Sequence, residues 1–309
     1  MTLDQPTIKP QTEIPQELVL PLDPEVFKPS LEALEFLKKT VSEDEEEIRA
    51  KVQEVQKEAY AKHPYPCLRG FHHVALFMSA NAIYPRVLEL GQSDPEAVLL
   101  DIGCCMGTDV RKAVFDGYPA AQIVGCDLLS DFIALGHKLY ADGDGHPIRF
   151  IQGDVFALDL PSPTQTVTST HTTSSLSEFS SLNDLLGRVA AIYTGALFHL
   201  FDESTQLAMA LRLALLIRKD KPSIIFGRHQ GLPQAGLIDD HYARVRYGHS
   251  PESWPVLWKS VFTDLRGEEY AKDKVTVKAE LRATNAGPAL TAGGRRDVYM
   301  LYWSVEISP

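Results

Sequence analysis

The residues best suited to chemistry in this chain stand at the ends of three short apolar runs. Asp101 closes "AVLLDIG", Asp127 closes "AQIVGCDL" and Asp154 ends the polar side of "IRFIQGDVF". A strand-end acid is commonly a helix cap or a turn former, and any one of the three alone would be read that way. Three in succession, with a glycine turn after the first, point to a ligand whose polar groups must be held. The turn, "DIGCCMGTDVR" from Asp101 to Arg111, sets two adjacent cysteines between Gly103 and Gly107. Three kinds of site use such a segment: a redox thiol pair, a dinucleotide-binding turn, or a turn for another adenosine-containing cofactor.

The thiol reading is the weakest. Adjacent Cys104 and Cys105 cannot bond to each other without severe strain. The four cysteines (Cys67, Cys104, Cys105, Cys126) form no C-x-x-C and no paired metal spacing, so they read as small buried side chains. The dinucleotide fingerprint G-x-G-x-x-G, placed on Gly103, requires glycines where this chain has Cys105 and Thr108. Asp127 suits ribose hydroxyls in either cofactor class. Asp101 and Asp154 discriminate, because a pyrophosphate gains nothing from a neighbouring carboxylate, whereas a cationic sulfonium amino acid does.

These residues need a scaffold, and the pattern around them supplies one. Largely apolar strand-like runs at 97–103, 121–128, 148–156, 189–195 and 222–231 alternate with helical segments, which predicts a parallel sheet covered on both faces. Ligands of such sheets bind at the carboxyl ends of the strands near the switch point. Two alternating runs, "KVTVKAELRAT" and "DVYMLYWSVEI", read as an antiparallel pair closing one edge. The fold class is therefore α/β, a doubly wound, mostly parallel seven-stranded sheet. Before it, residues 1–30 carry six prolines and read as an extended arm. Residues 31–92 read as a helical lid, with Ser30 capping the first helix and breaks at Gly70 and Pro85. Residues 93–309 form the main domain. The serine- and threonine-rich stretch beginning at Pro161 reads as an exposed insertion, and 239–254 as a second cover over the site, with Trp254 and Trp258 on the core face of its helix.

Composition narrows the partners. The chain has 309 residues with 44% hydrophobic and 23% charged content, as in soluble globular proteins. No apolar run is long enough for a membrane span, and the start resembles neither a signal nor a transit peptide, so a cytoplasmic location is expected. A net charge of −11 makes nucleic acid an unfavourable partner, the local "GGRR" at 293–296 notwithstanding. A homodimer is compatible with these features.

At this point a resemblance becomes visible. "LLDIGCCMGTDVRK", "IVGCDLLSDF", "IQGDVF" and "LFHLFDESTQ", with "YPCLRGF" and "SPESWPVLW", resemble a fungal branch of class I S-adenosylmethionine-dependent methyltransferases from meroterpenoid and related secondary-metabolite pathways. The resemblance runs from about Tyr65 to the C-terminus, and the double cysteine inside the glycine turn is a fairly specific mark of that branch. It implies S-adenosylmethionine as cofactor, a Rossmann-like class I fold and a small terpenoid- or polyketide-like acceptor methylated on a carboxyl or hydroxyl oxygen. It implies that Asp101 faces the methionine amino group and that Gly103, Cys104, Cys105 and Gly107 line the amino-acid and ribose portion. Asp127 then takes the ribose hydroxyls, with Leu128 against the adenine. Asp154 takes the adenine amino group, Val155 and Phe156 pack beside it, and Thr194 and Gly195 lie under the methionine portion.

Other assignments follow from position. His199 in "LFHLF" is either a general base or a residue packing the next helix; His72, His73, His229 and His241 are weaker candidates, with His229 within reach of the pocket. Tyr65 and Arg69 either bind cofactor or substrate from the lid, or are a packed aromatic and a surface ion-pair partner. Arg69, Arg228, Arg244 and Arg246 stand near the expected mouth, where one could hold an acceptor carboxylate. The strand at 189–195 opens without an acid, so no metal is expected in catalysis. The competing class is a methyltransferase-like regulatory protein without small-molecule turnover.

Overall fold

The computed structural model describes residues 19–143, 145–160, 176–239, 245–284 and 298–309. In chain order they form α1 (Leu31–Thr40), α2 (Glu45–Lys62), α3 (Pro66–Arg69), α4 (Tyr84–Ser93), β1 (Val98–Ile102), α5 (Thr108–Phe115), β2 (Ile123–Asp127), α6 (Ser130–Tyr140) and β3 (Arg149–Gln152). There follow β4 (Val189–Gly195), α7 (Glu203–Leu216), β5 (Ser223–Gly231), β6 (Gly236–Asp239), β7 (Arg246–Gly248), α8 (Ser253–Arg266), α9 (Glu268–Lys274), β8 (Val275–Thr284) and β9 (Val298–Ile307).

Seven strands form one sheet in the order β3-β2-β1-β4-β5-β9-β8. The first five are parallel, and β9 and β8 join antiparallel. This is the doubly wound α/β class anticipated from the alternating runs. Residues in β1 and β2 are buried throughout, as a strand covered on both faces must be. Strand order reverses between β1 and β4, which creates the crevice where ligands of such sheets sit.

Two apolar layers cover the sheet. One face packs Leu100, Ile102, Val124, Ile192 and Ile225 against α7 and α8 through Met209, Leu213, Trp254 and Trp258. The other packs Leu99, Ile123, Ala191, Tyr193 and Phe226 against α4 and α5 through Tyr84, Val87 and Val110. Trp254 and Trp258 are thus on the core face of their helix, as expected. Helix α4 belongs to this sheet layer even though the sequence reading counts it with the lid. Pro85 opens α4 in its first turn, where a missing N–H is harmless, and does not break a helix as expected.

The remaining N-terminal helices form a third cluster. Helix α2 begins at the Asp44 cap, whose side chain accepts from Glu47 N, and buries Ile48, Val52, Val55 and Ala59 along one stripe. These pack with Phe36, Leu37 and Leu68 onto Phe132, Leu135 and Leu139 of α6 and onto Met106 of the turn after β1. These N-terminal helices therefore share their apolar core with α6 and with the turn after β1. The end of the arm wraps the body: Tyr60 Oη donates to Leu20 O at 2.6 Å, and Arg69 Nε to Pro21 O at 2.8 Å. The rest of the arm, residues 1–18, and the serine- and threonine-rich insertion at 161–175 lie outside the described residues, as do His241, Arg244 and the "GGRR" patch. Among the described residues no helix is long and apolar enough to cross a membrane.

Between α3 and α4 the chain is held at two points, one on α5 and one on the sheet. Asp109 in the first turn of α5 accepts from Phe77 N and Met78 N, both at 2.9 Å on Oδ1. Asn81 Nδ2 donates to Gly227 O and Trp303 O. Burial pushes the Asp109 carboxyl from 3.8 up to about 6, against the two N–H groups, Arg228 and Lys112, which favour its charge. The folded state thus holds this proton more tightly than the unfolded chain, and stability is lost as pH rises from about 4 through about 6. Asp109→Asn keeps an oxygen for both N–H donors and removes the charge. Its stability relative to the wild type should rise across that interval by on the order of 1–3 kcal/mol and level off above it. Urea denaturation of both proteins at several pH values measures this; a constant difference would disprove it.

Candidate functional site

After β1 the backbone enters the left-handed region three times in five residues, at Gly103 (φ 80), Cys105 (φ 51) and Gly107 (φ 70). Gly103 N and Cys104 N both donate to Cys126 O, at 2.8 and 3.0 Å, and Gly107 N donates to Cys104 O at 2.8 Å. The chain is thereby folded back over the end of β2. Glycine suits such positions because it lacks a Cβ, so Cys105 bears strain that a glycine would not. Its N–H is fixed by a 2.8 Å hydrogen bond to Asp127 Oδ2, while Leu129 N donates to Oδ1 at 2.9 Å. Both Asp127 oxygens are aimed by backbone and each keeps a second lone pair. Burial pushes this carboxyl up, partly offset by those N–H donors.

The predicted glycine-turn residues divide. The Cys104 thiol turns toward Gly125, and a side chain at Gly107 would strike Arg111 and Phe150. What Cys104 and Gly107 offer the cleft is therefore backbone. Gly103 faces open space, with only Leu197 near it. Burial, reinforced by Asp127, holds the Cys104 and Cys105 thiols well above their usual range. They are protonated thiols, consistent with a structural use.

Asp101 stands between Gly125 of β2 and Tyr193 of β4 in the sheet register. It is 2% exposed, and its Oδ1 has no hydrogen-bond partner among the described residues. Burial, with the negative charges of Asp109 and Asp127, raises its pKa well above the ordinary carboxylate value. A buried carboxyl of this kind needs a proton or a cation, and an ammonium group fits. At the neighbouring strand ends, Asp154 Oδ1 accepts from Phe156 N at 2.9 Å and opens a short turn over Val155–Ala157. Val155 and Phe156 are buried, Phe156 edge-on to Phe201, whereas Leu128 is 45% exposed beside Asp127. Thr194 lies on the opposite face from Asp101, against Gly227. A side chain at Gly195 would come within 3.2 Å of the Tyr193 hydroxyl.

The imidazoles separate clearly. His199 is half-buried in the turn Phe198–Leu200 after β4. His229, expected within reach of the pocket, is instead fully buried, because its position in β5 faces the α8 layer. Trp303 Nε1 donates to its Nδ1 at 3.0 Å, and Phe198 and Trp254 flank its ring. Burial foremost, with the Arg228 charge nearby, keeps it neutral. His72 and His73 are also held neutral by burial, at about 4. Tyr65 packs near Phe132 and His63.

Of the arginines expected at the mouth, Arg69 grips Pro21 O, and Arg246 Nε pairs with Asp239 Oδ1 at 2.8 Å across the β6–β7 ribbon. Arg228 differs. It is 5% exposed in β5, at the last position paired with β4, with its guanidinium 3.3 Å from the Phe77 ring centroid. Tyr193 and Asp109 were missed in the sequence. The signal for Tyr193 was its in-register position beside Asp101, which a sequence does not print. Asp109 was visible as an acid in a first helical turn but looked like an ordinary dipole partner. Among the described residues no cluster of potential metal ligands occurs.

A family model described as the meroterpenoid methyltransferase N-terminal domain matches residues 22–74, which include α1, α2 and α3. O-methyltransferase phiE from a fungal strain is 29% identical over 252 residues, 81% of this chain and 74% of the relative. Asnovolin E/chermesin D methyltransferase nvfJ of Aspergillus novofumigatus is 28% identical over 263 residues, 84% of this chain and 86% of the relative. Likeness to solved structures is looser. Burkholderia thailandensis 1,6-didemethyltoxoflavin-N1-methyltransferase gives a TM-score of 0.46 at 12% identity, over 86% of this chain and 91% of that one. With the turn and the strand-end acids in place, the chain is similar over most of its length to fungal secondary-metabolite methyltransferases, and its N-terminal helices match the meroterpenoid methyltransferase N-terminal domain.

Proposed function

We propose that this protein transfers the methyl group of S-adenosylmethionine to a carboxyl or hydroxyl oxygen of a small, largely apolar secondary metabolite of terpenoid or polyketide type. The observation that carries the reading is Asp101, a buried carboxyl with an unpartnered oxygen beside a turn aimed by Asp127. The names of phiE, an O-methyltransferase, and nvfJ, which acts on asnovolin E or chermesin D, support oxygen as the nucleophile and a small terpenoid as the acceptor class.

In this reading Asp101 holds the methionine ammonium, and Asp127 accepts the ribose hydroxyls on its remaining lone pairs. Leu128, Asp154, Val155 and Phe156 frame the adenine. Gly103, Cys105 and the backbone of Cys104 and Gly107 shape the wall, and Thr194 and Gly195 the floor. Tyr65 and Arg69 close the site from residues 31–92, which act as a lid on the domain 93–309, with the arm 1–30 strapped across it. The bound cofactor supplies a methyl group on a cationic sulfur, open to in-line displacement. The protein's part is to align acceptor and methyl and to exclude water. We place the reaction in the cytoplasm, in a monomer or homodimer, without nucleic acid.

Calorimetry should show saturable binding of S-adenosylmethionine and S-adenosylhomocysteine. Asp127→Ala should weaken it by about 1.5–3 kcal/mol, the scale of hydrogen bonds to a charged acceptor; unchanged affinity would remove the central claim. Turnover should persist in excess chelator, and a loss that magnesium restores would relocate the chemistry. His199 tells the acceptors apart. For a carboxylic acid no proton leaves in the step, and His199→Ala should cost little in kcat. For a phenol or alcohol it should cost about 100-fold or more, as loss of a general base does. Methyl transfer to a peptide or RNA with no small product would overturn the acceptor class.

A further inference from the structure

Three buried polar atoms on one face of the sheet have no partner among the described residues: Asp101 Oδ1, the Tyr193 hydroxyl and Arg228 Nε. Groups of this kind are costly to bury unpaired, charged ones most of all. Strand register sets them in a row. Asp101 of β1 is opposite Tyr193 of β4, and Arg228 of β5 is opposite Gly195, two residues further toward the carboxyl ends. All three share the face that carries Leu99, Ala191 and Phe226, because side chains on one face recur every second residue. Two strand spacings, about 10 Å across the sheet, separate the chain at Asp101 from the chain at Arg228. Arg111, Arg218 and Arg246 each hold a carboxylate; among the described residues Arg228 holds none. Phe77 covers one side of its guanidinium, and the backbone of Phe77 is itself pinned to Asp109.

The row thus presents an acid at one end, a guanidinium at the other and a hydroxyl between. An acceptor carboxylate would satisfy Arg228 and leave Asp101 unpaired. A ligand with an ammonium and a carboxylate on the same carbon satisfies both. We infer that Arg228 and Tyr193 complete, with Asp101, a socket for the α-amino-acid end of the cofactor, Arg228 taking the carboxylate in a forked contact and Tyr193 bridging the two charges. This rests on the cofactor assignment of the preceding section. It makes Arg228 a specificity residue that separates the intact cofactor from fragments lacking the amino acid.

The test compares two ligands by calorimetry on the full chain: S-adenosylhomocysteine, which has the amino-acid end, and 5′-methylthioadenosine, which lacks it. Arg228→Met should weaken S-adenosylhomocysteine about 10- to 100-fold, the scale of a charge-assisted contact, and leave 5′-methylthioadenosine unchanged. Arg228→Lys should fall between, and Tyr193→Phe should weaken only the first ligand. If Arg228→Met does not fold, as thermal unfolding would show, the other two variants carry the same comparison with side-chain bulk retained. Wild-type affinity of the folded Arg228 variants for S-adenosylhomocysteine overturns the inference, and does so also if the KM of the acceptor rises, which would assign Arg228 to the acceptor. Equal losses for both ligands overturn it as well. A wild-type protein that binds neither ligand defeats the cofactor reading itself, and that result is visible before any variant is made.

Discussion

The Asp127 carboxylate accepts one hydrogen bond from the Cys105 N–H, on the turn after β1, and another from the Leu129 N–H, just before α6. These bonds join the first strand–helix connection to the second. The same joint is pressed from behind by α6, where a side chain at Gly136 would meet Met106 O at 2.3 Å. Met106 in turn belongs to the apolar cluster of the lid. Turn, second strand, α6 and lid are thus positioned against one another through a few backbone contacts around one acid. The left-handed residue at Cys105 is tolerated because its surroundings fix it on both sides.

A second constraint is the amount of charge placed in low-dielectric surroundings. Asp109 and Asp127 stand close enough to raise the pKa of Asp101, burial raises that of Asp127, and Arg228 and Lys112 are nearby cations that favour the charge of Asp109. Without a ligand this arrangement works against folding, since buried charges are costly unless paired. A site poised in this way gains most when an oppositely charged group arrives. The segment between α3 and α4 is bound into the same cluster through Asp109, so its position and the charge balance are physically linked.

Much of this was legible in the sequence because its signals are local. Continuous apolar strands and their helices repeat on a simple period, and Ser30 and the β1 turn announce themselves by residue type. The switch-point acids follow from where the strands end. What stayed hidden depends on register and on faces. That Tyr193 and Arg228 share the face of Asp101, and that His229 turns to the other, follows from strand pairing across the sheet, which no stretch of sequence contains. The β6–β7 ribbon was likewise missed. Its strands are short, Gly236–Asp239 and Arg246–Gly248, too brief for alternation to stand out from a loop. Arg246 looked like a free mouth cation for the same reason, since its partner Asp239 is on the opposite strand.

The three tryptophans have a spectroscopic consequence. Trp254, Trp258 and Trp303 are all buried, with ring centroids 4.9 to 5.9 Å apart. They occupy one cluster on the α7–α8 side of the sheet, and the lid helices contain none. Tryptophan emission from this protein therefore comes from a single dry, closely coupled chromophore group behind the sheet. Its colour and anisotropy follow the integrity of that half of the molecule, while the N-terminal helices, which carry tyrosine but no tryptophan, contribute nothing to it.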